Sequence, residues 1–172
     1  MRWVRMAAAT LACLLVLGAA GGVIAWRYHN KFAPVAAGSW VELPNNGIEL
    51  RLNSLRVADE APPLYGDKPR LPVEGAVFVI ADFSLRVVPG GVGPYTVTVE
   101  LQGGPERVWA ADTSSDTIYS ILTAAKASGA EESGTVDFQV PASCLDEITG
   151  VAPASSDLGF APGPLFAAPL QR

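Results

Sequence analysis

The stretch Gly75-Ala-Val-Phe-Val-Ile-Ala-Asp-Phe-Ser-Leu-Arg-Val-Val88 alternates, with Val77, Val79, Ala81, Phe83, Leu85 and Val87 on one parity. The other parity begins apolar, at Phe78 and Ile80, and turns polar at Asp82, Ser84 and Arg86. A period of two is that of a β-strand, whose successive side chains leave on opposite faces. The stretch therefore predicts one long strand, buried on both faces at its start and solvated on one face beyond.

The same signal returns on either side. Ile48, Leu50 and Leu52 alternate with Glu49, Arg51 and Asn53. Ala58–Glu74, with four prolines and Gly66, reads as a loop. Downstream, Pro89-Gly90-Gly91 and Gly93-Pro94 break the chain, and Tyr95, Val97, Val99 and Leu101 then alternate with Thr96, Thr98, Glu100 and Gln102. Gly103-Gly104-Pro105 turns this strand into Arg107–Ala111. Val136, Phe138 and Val140 form a further strand that Pro141 stops, and Ser143 with Asp146 suits a single helical turn after it. Leu165–Leu170 reads as an edge strand. Thr117–Gly129 admits two readings. Ile118, Ile121, Leu122 and Ala125 have helical spacing with Gly129 as a C-cap, whereas Thr, Ile and Tyr favour extended chain. A strand ending in a turn is the expectation adopted. Short strands punctuated by Gly and Pro about every eight to twelve residues make an all-β chain folded as an antiparallel β-sandwich.

The N-terminus is different. From Met6 to Trp26 no side chain is charged, and at about 1.5 Å per residue this run makes a helix of roughly 31 Å, matching a hydrocarbon core of about 30 Å. Trp3, Trp26 and Tyr28 flank it as interfacial aromatics do. The apolar run is longer than a cleavable signal core, and Thr10-Leu11-Ala12 before Cys13 makes a poor lipoprotein box. The expected organisation is a cytoplasmic tail over residues 1–5, one transmembrane helix over 6–26 and a linker over 27–39. Residues 40–172 then form an extracytoplasmic domain. Arg2 and Arg5 before the helix, against Arg27 and Lys31 after it, give this orientation by a narrow margin.

The chain carries 12 Lys+Arg against 17 Asp+Glu, a net charge of −5, and only 17% of its residues are charged. Setting Arg2 and Arg5 aside lowers the charge to about −7, which excludes nucleic acid and anionic lipid surfaces as partners of the domain. Cys13, in the expected helix, cannot pair with Cys144, so the fold rests on its hydrophobic core.

The order of strands at Ile48–Leu55, Gly75–Phe83, Tyr95–Leu101 and Gly134-Thr-Val-Asp-Phe-Gln-Val-Pro141 resembles a known group. It is similar to the extracellular immunoglobulin-like domains of unknown function in Gram-positive and actinobacterial lipoproteins and in secreted immunogenic mycobacterial proteins. The resemblance spans roughly Ser39–Thr149. It departs from the group at Arg86-Val87-Val88, where an Asn-containing strand end is expected, and in having a helix rather than a lipobox as anchor. It implies an immunoglobulin-like sandwich outside the cytoplasm and carries no catalytic residues.

Catalytic equipment is sparse. The one histidine, His29, stands just past the helix, so a Ser-His-Asp or Cys-His site has no general base in the domain. One cysteine and no histidine leave zinc or copper without ligands there. Asp112-Thr-Ser-Ser-Asp116 begins like a calcium loop, but Thr117 and Thr123 stand where such a loop has Gly and Glu. A hydrogen-bonded turn is the expectation, with no cofactor or metal. Asp59-Glu60 and Glu131-Glu132 read as solvated surface. Gly18 and Gly22 form a small-xxx-small pair that lets a second helix approach. Trp40 and Trp109 are candidate interface anchors, since aromatics dominate binding hot spots, with packing in the sandwich core the expected role of at least one.

These features predict a non-enzymatic, membrane-anchored interaction module, with the bilayer as partner through residues 6–26 and a protein partner or a second copy at the domain. An accessory subunit of a membrane complex fits this description. The alternative is a binder of lipid or cell-wall fragments between the sheets, with Ala58–Glu74 and Tyr65 as its lid.

Overall fold

The computed structural model describes residues 2–29, 32–43, 47–63, 67–88, 97–104, 107–111, 121–126, 129–154 and 163–172. The chain divides into two compact units, Met1–Lys31 and Phe32–Arg172.

The first unit is one helix, α1 (Arg2–His29). Residues 10–26 are exposed throughout, Leu15, Val16, Leu17 and Ile24 among them. They rise about 26 Å, and among the described residues no helix is long and apolar enough to cross a membrane.

Among its described residues the second unit holds ten strands: β1 (Phe32–Ala36), β2 (Val41–Leu43), β3 (Ile48–Ala58), β4 (Ala76–Val87), β5 (Val99–Gly103), β6 (Arg107–Ala110), β7 (Glu132–Pro141), β8 (Ile148–Pro153), β9 (Gly163–Ala167) and β10 (Leu170–Gln171). They form two sheets, in the orders β1-β9-β8-β5-β6 and β10-β3-β4-β7, with β2 added to β3. This is a β-sandwich. Most pairings are antiparallel, but β1 runs parallel to β9 and β10 parallel to β3. Phe32–Ala36, expected in the linker, is thus part of the sandwich. Of the stretch expected as one edge strand over Leu165–Leu170, β9 lies inside its sheet between β1 and β8, and only β10 is terminal.

The long alternating stretch is β4, paired with β3 on one side and β7 on the other. Its inward parity, Val79, Ala81, Phe83 and Leu85, is buried with Leu50, Leu52 and Leu55 of β3 and Val136, Phe138 and Val140 of β7. A bulge between Leu52 and Ser54 shifts the register of β3 and returns Leu55 to the core face. The other sheet supplies Val99, Leu101, Val151 and Phe166. Phe83 meets Phe166 edge to face, with ring centroids 6.3 Å apart and an interplanar angle of 82°.

The expected double burial at the start of β4 is present. Phe78, Ile80 and Ala61 form a separate buried cluster on the outer face of the sheet, beneath the loop after β3. Residues 121–126 are helical, which corrects the expectation of a strand. Ile121, Leu122 and Ala125 are buried on one side, and the Gly129 N–H, at a φ of +64°, donates to Ala125 O as a helix C-cap. Burial of that stripe outweighs the β preference of the β-branched residues. A 3-10 helix (Ala142–Glu147) follows β7 as expected, though no side chain caps it.

Candidate functional site

β6 and β7 end their respective sheets on one side of the sandwich. Every residue of β6 is at least partly exposed, including Val108 at 44%. Leu101 of β5 pairs with Trp109 and Gly103 with Arg107, so Arg107 and Trp109 share the face that looks toward the other sheet. Beyond the edge of β7 an open groove of about 400 Å³ is lined by Arg107, Val108, Trp109, Pro141 and Cys144.

Its geometry follows from a missing side chain. The Trp109 ring lies over Gly103, where any β-carbon would collide with it. At the other end, Arg107 Nη1 donates to Cys144 Sγ and to Glu147 Oε1, each at 3.0 Å. Cys144 is a buried free thiol in the 3-10 helix. The groove thus presents an aromatic ring, a proline, a valine and one guanidinium, a mixture suited to an extended peptide or other partly apolar partner. Among the described residues no group of three or more His, Cys, Asp or Glu is placed to hold a metal.

A second cluster lies on the outer face of the β3-β4-β7 sheet. Trp40 lies against two guanidiniums, with Arg51 Cζ 4.5 Å and Arg86 Cζ 4.4 Å from its ring centroid. Arg86 pairs with Glu49, whose hydrogen bond raises the arginine's pKa further. Arg51 pairs with Glu131 at 2.5 Å and donates to Ser84 Oγ at 3.2 Å. Ser84 is buried beneath it and also meets Ser133 and Asn53.

Of the two candidate anchors, Trp109 therefore lines the groove, while Trp40 is engaged within the domain. Gly18 and Gly22 lie in α1 with nothing within 4 Å of where their β-carbons would stand. Asp112, Asp116 and Tyr65 lie outside the described residues. The described part of the proline-rich loop covers the outer face of a sheet instead of an opening between sheets. Sequence reasoning singled out Trp109, but it did not bring Arg107, Pro141 and Cys144 to it. Only the pairing of distant strands does so.

No protein-family profile matches the chain, and no curated protein does. Among solved structures it is similar to an uncharacterized beta-sandwich protein from Clostridium difficile 630. The identity is 9%, with 81% of this chain and 95% of that one covered and a TM-score of 0.48.

Proposed function

We propose that this chain is a tethered, non-enzymatic binding module. An immunoglobulin-like sandwich, carried outside the cytoplasm by the helix 6–26, engages a protein partner at the rim between β6 and the turn after β7. The observation that carries the binding role is the groove itself. It puts Trp109, Val108 and Pro141 beside the guanidinium of Arg107 at the edge of both sheets. Terminal strands are where extended segments of other proteins add to a sheet.

The immunoglobulin-like reading is supported by strand order: β3-β4-β7 follow A-B-E of that fold, and β9-β8-β5-β6 follow G-F-C-C′. The anchor is supported by the apolar, fully exposed run of α1. A helix apolar on all sides is stable where lipid or protein surrounds it. Gly18 and Gly22 would let a second helix, from a partner or another copy, pack closely. A lipid or cell-wall fragment between the sheets is disfavoured, because Leu52, Phe83, Phe138 and Phe166 occupy that space and are themselves buried.

The test is size-exclusion chromatography of the full chain extracted in mild detergent from its own membranes, with mass spectrometry of what co-elutes. A defined membrane protein at fixed stoichiometry, lost in Val108→Glu, is the expected result. A lone monomer, indifferent to that substitution, overturns the reading.

A further inference from the structure

Among the described residues that line the groove at β6, Arg107 alone carries a charge. Its guanidinium is held from one side. Nη1 donates to Cys144 Sγ and to Glu147 Oε1, each at 3.0 Å, and lies 2.8 Å from Glu147 Oε2. The chain around Glu147 is tied in turn to the end of β5. The Gly104 N–H donates to Glu147 O at 2.9 Å, and Thr149 Oγ1 donates to Gln102 O at 3.1 Å. These contacts of the guanidinium use one nitrogen, and the Arg107 side chain stays 56% exposed. The Nε–Nη2 edge, whose two parallel N–H groups match the two oxygens of a carboxylate, takes no part in them.

We infer that the segment bound at this rim is extended and acidic: one Asp or Glu binds the Nε–Nη2 edge of Arg107, and an apolar residue two positions away packs on Trp109. The inference rests on the binding role proposed above and names the chemistry of the partner.

The spacing comes from β6. Arg107 and Trp109 share one face of a strand that ends its sheet, two residues and about 7 Å apart. A strand added along β6 sets its own residues opposite these at the same interval, so its acid and its apolar side chain fall on one parity. The residue between them meets Val108, which is exposed on the other face. Two other occupants fit less well. A second copy pairing β6 with β6 lays Arg-Val-Trp-Ala against itself, with no carboxylate for either guanidinium. A basic segment meets Arg107 as a like charge. The chain's net charge of −5 does not reverse the choice, because at physiological salt a surface charge acts over about 8 Å and the contact itself decides.

Selection of phage-displayed random linear peptides against the full chain in mild detergent tests this. Enriched peptides should carry Asp or Glu two positions from an aliphatic or aromatic residue, and should fail to bind Val108→Glu. In a synthetic peptide of that sequence, replacing the acid by its amide should weaken binding about ten- to hundredfold, as should Arg107→Gln in the protein. Selection against Arg107→Glu should enrich Lys or Arg at the same position. Peptides that need Val108 but show no acid preference overturn the inference and leave the binding role standing. No enriched peptide, or peptides indifferent to Val108→Glu, overturns the inference together with the reading it rests on. A dimer that Val108→Glu dissolves puts a second copy on β6 and overturns it as well. The unmodified chain alone decides the acid preference, so the outcome stands even where an Arg107 variant does not fold.

Discussion

The Trp109 indole lies across Gly103, so that a β-carbon added there would stand 2.6 Å from Cη2 of the ring. The two residues sit on paired strands, Gly103 opposite Arg107 and Leu101 opposite Trp109. The glycine is thus the space the tryptophan occupies. Gly103→Ala should push the ring out of its seat and cost about 1–3 kcal/mol by overpacking. In a Trp109→Ala background the same substitution should cost little. A double-mutant cycle on thermal unfolding measures the difference, and equal costs in both backgrounds would show that the contact does not matter.

Phe83 and Phe166 join the two sheets through one edge-to-face contact. Phe166→Ala should lower stability by about 3–5 kcal/mol, as removal of a buried aromatic does. The coupling with Phe83 should account for about 0.5–1.5 kcal/mol of that. Additive losses in the double variant would mean that each ring packs independently.

How much of this was legible in the sequence depends on range. The strands around Phe83, Leu50 and Phe138 show in their own alternation, because each has one face on the core and one facing outward. The double burial of Phe78 and Ile80 is legible too, since nothing else explains an apolar start on both parities. β1 is not legible. Phe-Ala-Pro-Val-Ala has neither alternation nor a turn signal, and Phe32–Ala36 becomes a strand only because β9, more than a hundred residues later, lies beside it. The helix at 121–126 was masked by its own chemistry, as β-branched residues argue for a strand where a buried stripe requires a helix. The groove residues follow the same rule. Arg107 and Cys144 have no local signal that would bring them within 3.0 Å.

Trp40 has partners that its place in the sequence does not show. An isolated tryptophan after a linker invites reading as a binding anchor, yet it lies against Arg51 and Arg86 and fixes the chain between β1 and β2 over the sheet. Each cation–π contact at such a site is worth about 0.5–1 kcal/mol. Trp40→Ala should therefore destabilise the isolated protein by about 1–2 kcal/mol, and Trp40→Phe by less. Chemical denaturation with no partner present reads the effect directly. An unchanged midpoint for Trp40→Ala would return the residue to the pool of interface candidates.

The proposed anchor has a probe within it. Cys13 lies in α1 and is exposed on the helix surface, whereas Cys144 is buried in the sandwich. If lipid surrounds residues 6–26, Cys13 sits in hydrocarbon, which a charged reagent does not enter. In a Cys144→Ala background, a sulfonated maleimide applied to intact membranes should leave Cys13 unmodified. The same reagent should label it fully once the membranes are dissolved in a denaturing detergent at the same pH. The single-thiol background keeps the outcome readable, because any label must be on Cys13. Full labelling in intact membranes would mean that the helix lies in water or at a headgroup surface. The sandwich would then need another means of attachment, while the groove at β6 would stand as described.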